Sequence, residues 1–154
     1  MKEELRYLSL CGMLGYGYKP VSLENAFAEK LDFIGVDAGS TDPGPYYLGS
    51  GKSFVKDLQM KRDLSLVLKR ALDGKIPLII GSAGGSGAKP HVERVLDVLK
   101  EIAKEQSLKF KAAVIYSDLD KSFLEKAAAD GRIFSCGGSP EFDAASIPQV
   151  CGPR

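Results

Sequence analysis

The chain has 154 residues, 44% of them hydrophobic and 27% charged, with a formal net charge of +1. That is enough chain for one domain with a full core, and the interspersed charges leave no footprint for nucleic acid or an anionic membrane. No apolar run approaches the roughly 20 residues needed to span a bilayer.

The first six residues, Met1-Lys2-Glu3-Glu4-Leu5-Arg6, lack the apolar stretch of a secretory signal, which points to a cytoplasmic protein. Residues 7–11 read as a first strand, ending in the loop Gly12-Met13-Leu14-Gly15-Tyr16-Gly17. Cys11 closes that apolar run and reads as a small buried residue. With Cys136 and Cys151 it makes three widely spaced cysteines without a CxxC pattern, which argues against a disulfide framework and a zinc site. A short helix is expected over residues 22–30, capped by Ser22. Residues 33–36 form a second strand that leaves through Asp37 into a loop running to about Gly51. A helix over about 53–73 follows, with Phe54, Leu58, Leu64, Leu68 and Leu72 on one face and Gly74 as its stop.

Residues 76–80 make a compact third strand, with Pro77 tolerable near its start. Beyond the loop of residues 81–87, Val92, Val95, Leu96, Leu99, Ile102 and Ala103 give the clearest helical stripe in the chain. Residues 112–116 are a fourth strand leading into Ser117-Asp118-Leu119-Asp120. Ser122 and Glu125 suggest a capping box for the next helix, which Gly131 ends. Residues 132–135 could be a fifth strand. Apolar strands alternating with helices predict a parallel sheet covered on both faces. The expected fold is a three-layer α/β domain, Rossmann-like or flavodoxin-like, over residues 7–136, with the strand order open. Residues 137–154 are a tail or the start of a linker to a domain absent from this chain.

The glycines point to a binding edge. Positions 12, 15, 17, 39, 44, 49, 51, 81, 84, 85 and 87 all lie in loops that follow strands, where α/β sheets bind ligands. Gly49-Ser50-Gly51-Lys52-Ser53 ends like a phosphate-binding loop, but position 46 is Tyr where that motif needs glycine. What survives is an anion site made by Lys52, Ser53 and the free amides at the N-terminus of the helix they open. The segment 34–41 resembles the first phosphate loop of sugar kinases and actin, yet Pro43 and Pro45 block the hairpin that should follow. The third loop lacks GxGxxG spacing; its amides at Gly81, Ser82, Gly84, Gly85 and Ser86, with Lys89, suit a carboxylate or phosphate.

Gly15, Gly17, Gly39, Ser40, Thr41 and Asp42 complete the candidate ligand-binding set. Asp37, His91 and Asp118 are the candidates for acid–base chemistry. Each has a plainer alternative: Asp37 as a loop cap, His91 as a cap or solvated residue, Asp118 or Asp120 as a helix cap, and Asp42 as a turn former. Tyr46 and Tyr47 form a lid or simply pack. The single histidine excludes a multi-histidine metal site, and carboxylates at this edge could hold Mg²⁺ although no spacing compels it.

Four blocks together resemble one family: Gly15-Tyr16-Gly17, Asp37 through Gly49, Lys61-Arg62-Asp63-Leu64, and Ile76 through Gly85. They are similar to the N-terminal part of the acyclic terpene utilisation protein A family, a group with a domain of unknown function. The resemblance covers about Tyr7 to Asp120, and family members are considerably longer, so it implies an N-terminal domain or fragment. It implies a link to bacterial catabolism of branched acids or their CoA thioesters, and carries over no catalytic residue. The expected function is a small-molecule-binding domain of a catabolic enzyme with lyase, hydratase or hydrolase-like chemistry on an acid or acyl-CoA. The alternative is a non-catalytic nucleotide- or metabolite-binding module. Expected partners are the acid or acyl-CoA, and a second copy of the chain or a missing C-terminal domain.

Overall fold

The computed structural model describes residues 3–39, 46–135, 137–138 and 140–146. Its elements are β1 (Tyr7–Ser9), α1 (Pro20–Phe27), β2 (Phe33–Asp37), α2 (Tyr46–Ser50), α3 (Asp57–Asp73), β3 (Leu78–Gly81), α4 (Lys89–Glu105) and α5 (Lys121–Ala129). The three strands form a parallel sheet in the order β1-β2-β3. Leu8 pairs with Ile34, Ile34 with Leu78, and Val36 with Ile80. Side chains alternate across a strand, so these residues share one face.

That inner face carries the core. Ile34 and Val36 pack in one cluster with Leu23 of α1, with Met60, Leu64, Val67, Leu68 and Ala71 of α3, and with Val95, Val98 and Ile102 of α4. Each fully buried aliphatic side chain contributes about 1.5–3 kcal/mol. Lys61 ties α3 to α4 at the rim, 3.1 Å from Glu101 and 2.7 Å from Glu105. Gln106 Nε2 donates to the Ser65 carbonyl at 3.1 Å. Among the described residues no helix is long and apolar enough to cross a membrane.

Several boundaries differ from the sequence reading. The first helix starts at Pro20 rather than Ser22 and ends at Phe27, because proline suits the first helical turn. The helix expected from Ser53 begins at Asp57, where the Lys56 N–H is taken by Gln59 Oε1 at 3.2 Å. Phe54 therefore precedes the helix, and Leu58 is 78% exposed; Leu64 and Leu68 are buried as expected, and Met60, Val67 and Ala71 join them. Asp120, not Ser122, stands at the start of α5, and no side-chain cap bond forms there. Gly131, at φ +65°, ends that helix as expected.

The larger difference lies in the sheet. Residues 112–116 and 132–135 run without a ladder, so the described sheet has three strands where five were expected. Among the described residues, no second layer of helices covers its outer face. Tyr7 is 64% and Ile79 56% exposed there, and the Tyr7 ring stacks on Phe33 at 5.2 Å.

Candidate functional site at the strand C-terminal edge

Parallel strands discharge their loops at one edge, and here the loops after β1, β2 and β3 meet. The β1 loop is held from below by Asp63 of α3, which is fully buried. The amides of Gly15 and Gly17 donate to Asp63 Oδ2 at 2.8 and 3.0 Å, and Arg62 Nη1 donates to Oδ1 at 2.7 Å. The Tyr18 hydroxyl donates to the Asp63 carbonyl at 2.5 Å. Gly15 must be glycine: its φ is +99°, and a Cβ there would lie 2.1 Å from Val55 Cγ1. A buried carboxylate with three donors is compensated, and it fixes the loop's path. Sequence reasoning did not single out Asp63 as a site residue. The signal was its place on α3 between Met60, Leu64 and Val67, an acid in the inward phase of the helix.

Asp63 also acts on its neighbours. Burial, and then the Asp63 charge, pushes the Cys11 thiol up to about 11 from 9.0. The same two causes raise Tyr18 above its ordinary 10.0. A thiol whose folded pKa exceeds its unfolded value stabilises the fold fully below pH 9. That contribution is lost as pH rises from about 9 through about 11. In a chain with Cys136 and Cys151 changed to serine, alkylation of Cys11 by iodoacetamide should have its pH midpoint near 11. A midpoint near 9 would show an open, unburied thiol.

The loops after β2 and β3 touch directly. Ala38 N–H donates to the Gly81 carbonyl at 2.8 Å, and Leu14 N–H to the Asp37 carbonyl at 2.7 Å. A Cβ on Gly39 would lie 2.5 Å from Ser82 Cβ and 2.6 Å from the Gly85 carbonyl oxygen. Ser82 takes a left-handed conformation, φ 47° and ψ 38°, unusual for a residue with a side chain. The Asp37 carboxyl is exposed at the end of the central strand, where Oδ1 accepts from Gly39 N–H at 3.0 Å.

Two of the amides expected to receive a ligand, those of Gly85 and Ser86, already have partners within the chain, as do those of the next residues. Gly85 N–H donates to Ser82 O at 2.8 Å, Ser86 N–H to Ala83 O, and Gly87 N–H to Ala83 O at 3.2 Å. Ala88 N–H donates to Ser86 Oγ at 3.2 Å. At the first residue of α4, Lys89 N–H donates to Asp118 Oδ2 at 2.7 Å. The helix N-terminus expected to bind an anion thus holds the chain's own carboxylate, which suits both the exposed amide and the helix dipole. Ser117 completes this junction, its N–H bonding Gly87 O and its Oγ bonding Ser86 O, both at 2.9 Å.

His91 is fully buried beneath the same loop. Its Nδ1 lies 2.7 Å from Ser86 Oγ, and its Nε2 has no partner among the described residues. When Ser86 donates to Nδ1, the ring's own proton sits on Nε2, a buried donor left unanswered. A side chain so enclosed is a packing element of the loop in this state.

The remaining candidates separate. Lys52 is exposed and Ser53 half-buried in the link between α2 and α3, and the helix N-terminus expected at Ser53 stands at Asp57. Tyr46 meets Tyr47 edge-on at 5.2 Å, and Tyr47 meets Phe54 at 5.3 Å, an aromatic cluster beside that link. Ser40, Thr41 and Asp42 lie outside the described residues. Among the described residues, no group of three or more His, Cys, Asp or Glu is placed to hold a metal ion. Asp37, Gly39, Gly81, Ser82, Gly84, Gly85, Ser86, Lys89, His91 and Asp118 come together at one edge, with Gly15 and Gly17 joined through Leu14. The chain matches no protein-family model, no curated protein and no solved structure.

Proposed function

We propose that this domain binds a small or branched carboxylic acid, or its CoA thioester, at the C-terminal edge of its parallel sheet. It serves a catabolic enzyme that works on that acid by lyase, hydratase or hydrolase-like chemistry. The observation that carries the reading is the contact of Gly39 with Ser82 and Gly85 beside the exposed Asp37 carboxyl. Glycine-lined backbone at strand ends, next to an acid able to exchange protons, is how α/β domains present ligands to chemistry. The exposed Lys89 supplies a cation for the acid's charge. A three-layer, Rossmann-like fold for the whole domain belongs to this reading, and the resemblance to the acyclic terpene utilisation family supports its substrate class.

A second reading is a non-catalytic nucleotide- or metabolite-binding module. It is favoured by the enclosure of His91 and the capping role of Asp118, which leave Asp37 as the member of the acid–base trio neither enclosed nor engaged at the start of α4.

Thermal denaturation with three ligand sets separates the two: Mg-nucleotides, CoA esters, and small or branched carboxylates. A ligand at ~100 times its dissociation constant adds about 2.7 kcal/mol, several degrees for a domain of this size. The expected responders are the acids or CoA esters. Gly39→Ala, which forces the two loops apart, should weaken that response at least ~10-fold in affinity. Asp37→Asn should keep binding and abolish turnover. Response to nucleotides alone would overturn the acid reading in favour of the second.

A further inference from the structure

Strand β3 has a strand partner on one side. Pro77 and Gly81 turn their carbonyls to β2, accepting from Ile34 N–H at 2.9 Å and Ala38 N–H at 2.8 Å. By the alternation of a strand, the amides of Leu78 and Ile80 face the other way. There the chain returns from α4 as residues 110–116, and a cleft of about 490 Å³ separates it from β3. Leu78, Ile80, Val95, Leu99, Ala113 and Ile115 are among its lining residues.

Residues 110–116 are held at both ends. Leu108 and Phe110 pack on the core, while Ser117 is bonded to Ser86 and Gly87 beyond the end of β3. The segment thus runs in the direction of β3 without pairing to it, and Ile115 is 84% exposed. An apolar cleft of this size would hold on the order of fifteen waters at ~30 Å³ each. The sheet's outer face is a second unmet requirement, since parallel sheets are covered on both sides.

We propose that residues 132–135 insert as a strand between β3 and residues 110–116, parallel to both, while α5 crosses the outer face of the sheet. The inference rests on the three-layer part of the reading above and deepens it. Arg132-Ile133-Phe134-Ser135 is a short apolar-centred run without a ladder, and Phe134 is 81% exposed. The nine residues of α5 return the chain by about 13 Å, the length of a four-residue strand at ~3.3 Å per residue.

Handedness then decides where α5 goes. Strands added in the order β1, β2, β3 and then 110–116 grow the sheet one way, so right-handed crossovers put α1, α3 and α4 on one face. Those helices all feed the inner core. A strand placed inside 110–116 reverses the direction of growth, and the same rule sends α5 to the opposite, bare face. Phe123, 52% exposed, and Leu124 supply apolar side chains for Tyr7, Phe33 and Ile79 to meet, and the buried residue of α5, Ala127, lies outside the core cluster. One rearrangement partners two strand edges, fills the cleft and covers the face. It also delivers Gly137-Gly138 to the edge that holds Gly39 and Ser82, adding a loop to the ligand crevice.

Amide hydrogen exchange on the whole 154-residue chain tests this, with the Val36 amide of β2 reporting that the domain is folded. The amides of Leu78, Ile80 and Ile133 should exchange about 100-fold or more slower than in an unstructured peptide. Phe134→Asp should remove that protection and Phe134→Leu should retain it, with Val36 unchanged in both. Residues 132–135 exchanging as an open peptide would overturn the proposal. So would protection of Leu78 and Ile80 shared with residues 112–115 alone. A ligand shift without protection sinks this inference and spares the acid-binding reading; protection without any ligand shift does the reverse.

Discussion

Asp63→Ala should destabilise the domain by about 3–5 kcal/mol, the cost of removing one partner from a buried, hydrogen-bonded charge network. The carboxylate is fully buried and answers two glycine amides and Arg62. Its removal leaves the amides of Gly15 and Gly17 without an acceptor and Arg62 without its ion pair. Asp63→Asn keeps one carbonyl oxygen and the side-chain shape, and should cost about 1–2 kcal/mol. Urea unfolding reads both: the midpoint should fall in the order wild type, Asn, Ala, with the slope unchanged. For a domain whose whole stability is of order 5–15 kcal/mol, the alanine variant approaches the threshold of folding. A loss below ~1 kcal/mol for alanine would show that the β1 loop is held by something else.

Gly84→Ala should be the most costly change within the β3 loop, about 3 kcal/mol. Two effects add. An alanine at φ +74° pays about 1–2 kcal/mol for the left-handed conformation. Its Cβ would also lie 2.3 Å from the His91 carbonyl oxygen and 2.7 Å from His91 Cβ, so the first turn of α4 must move. Gly131→Ala separates the two terms, because φ there is +65° yet nothing lies within 4 Å of the added carbon. It should cost about 1 kcal/mol. Equal losses at the two positions would mean that the contact with His91 is soft.

What was legible in the sequence was what depends on near neighbours. The runs that became β1, β2 and β3 are apolar and short, and α4 shows its stripe in Val92, Val95 and Ile102, so all four were found. On α3 the C-terminal part of the expected face was right, since Leu64 and Leu68 are buried and Leu72 packs on the core, while Phe54 and Leu58 fall outside it. Met60, Val67 and Ala71 join Leu64 and Leu68 on that face, and the packing of the helix brings them in. Strand pairing is further from local reach. Residues 112–116 have a strand's composition, yet a ladder needs a partner edge, and no propensity reports on one.

The site divides along the same line. Glycine placement marked the edge where the loops meet, because positive φ and close approach are written in residue type. Whether an amide there is open to a ligand is a tertiary question: Lys89 is answered from 29 residues away by Asp118, and Gly15 from 48 residues away by Asp63. Loop composition carries no trace of either partner.

The carboxylate of Asp118 on the first amide of α4 makes that position a competition rather than a vacancy. An anion arriving there gains only the difference between its own interaction and the one it evicts, so this one amide adds little to an acid held at Gly39 and Ser82. Asp118 is the chain neighbour of Ser117, whose bonds to Gly87 and Ser86 hold the far end of residues 110–116, so evicting it would act on that anchor first. Occupancy at one edge of the sheet would in this way be reported along the whole length of its unfinished side.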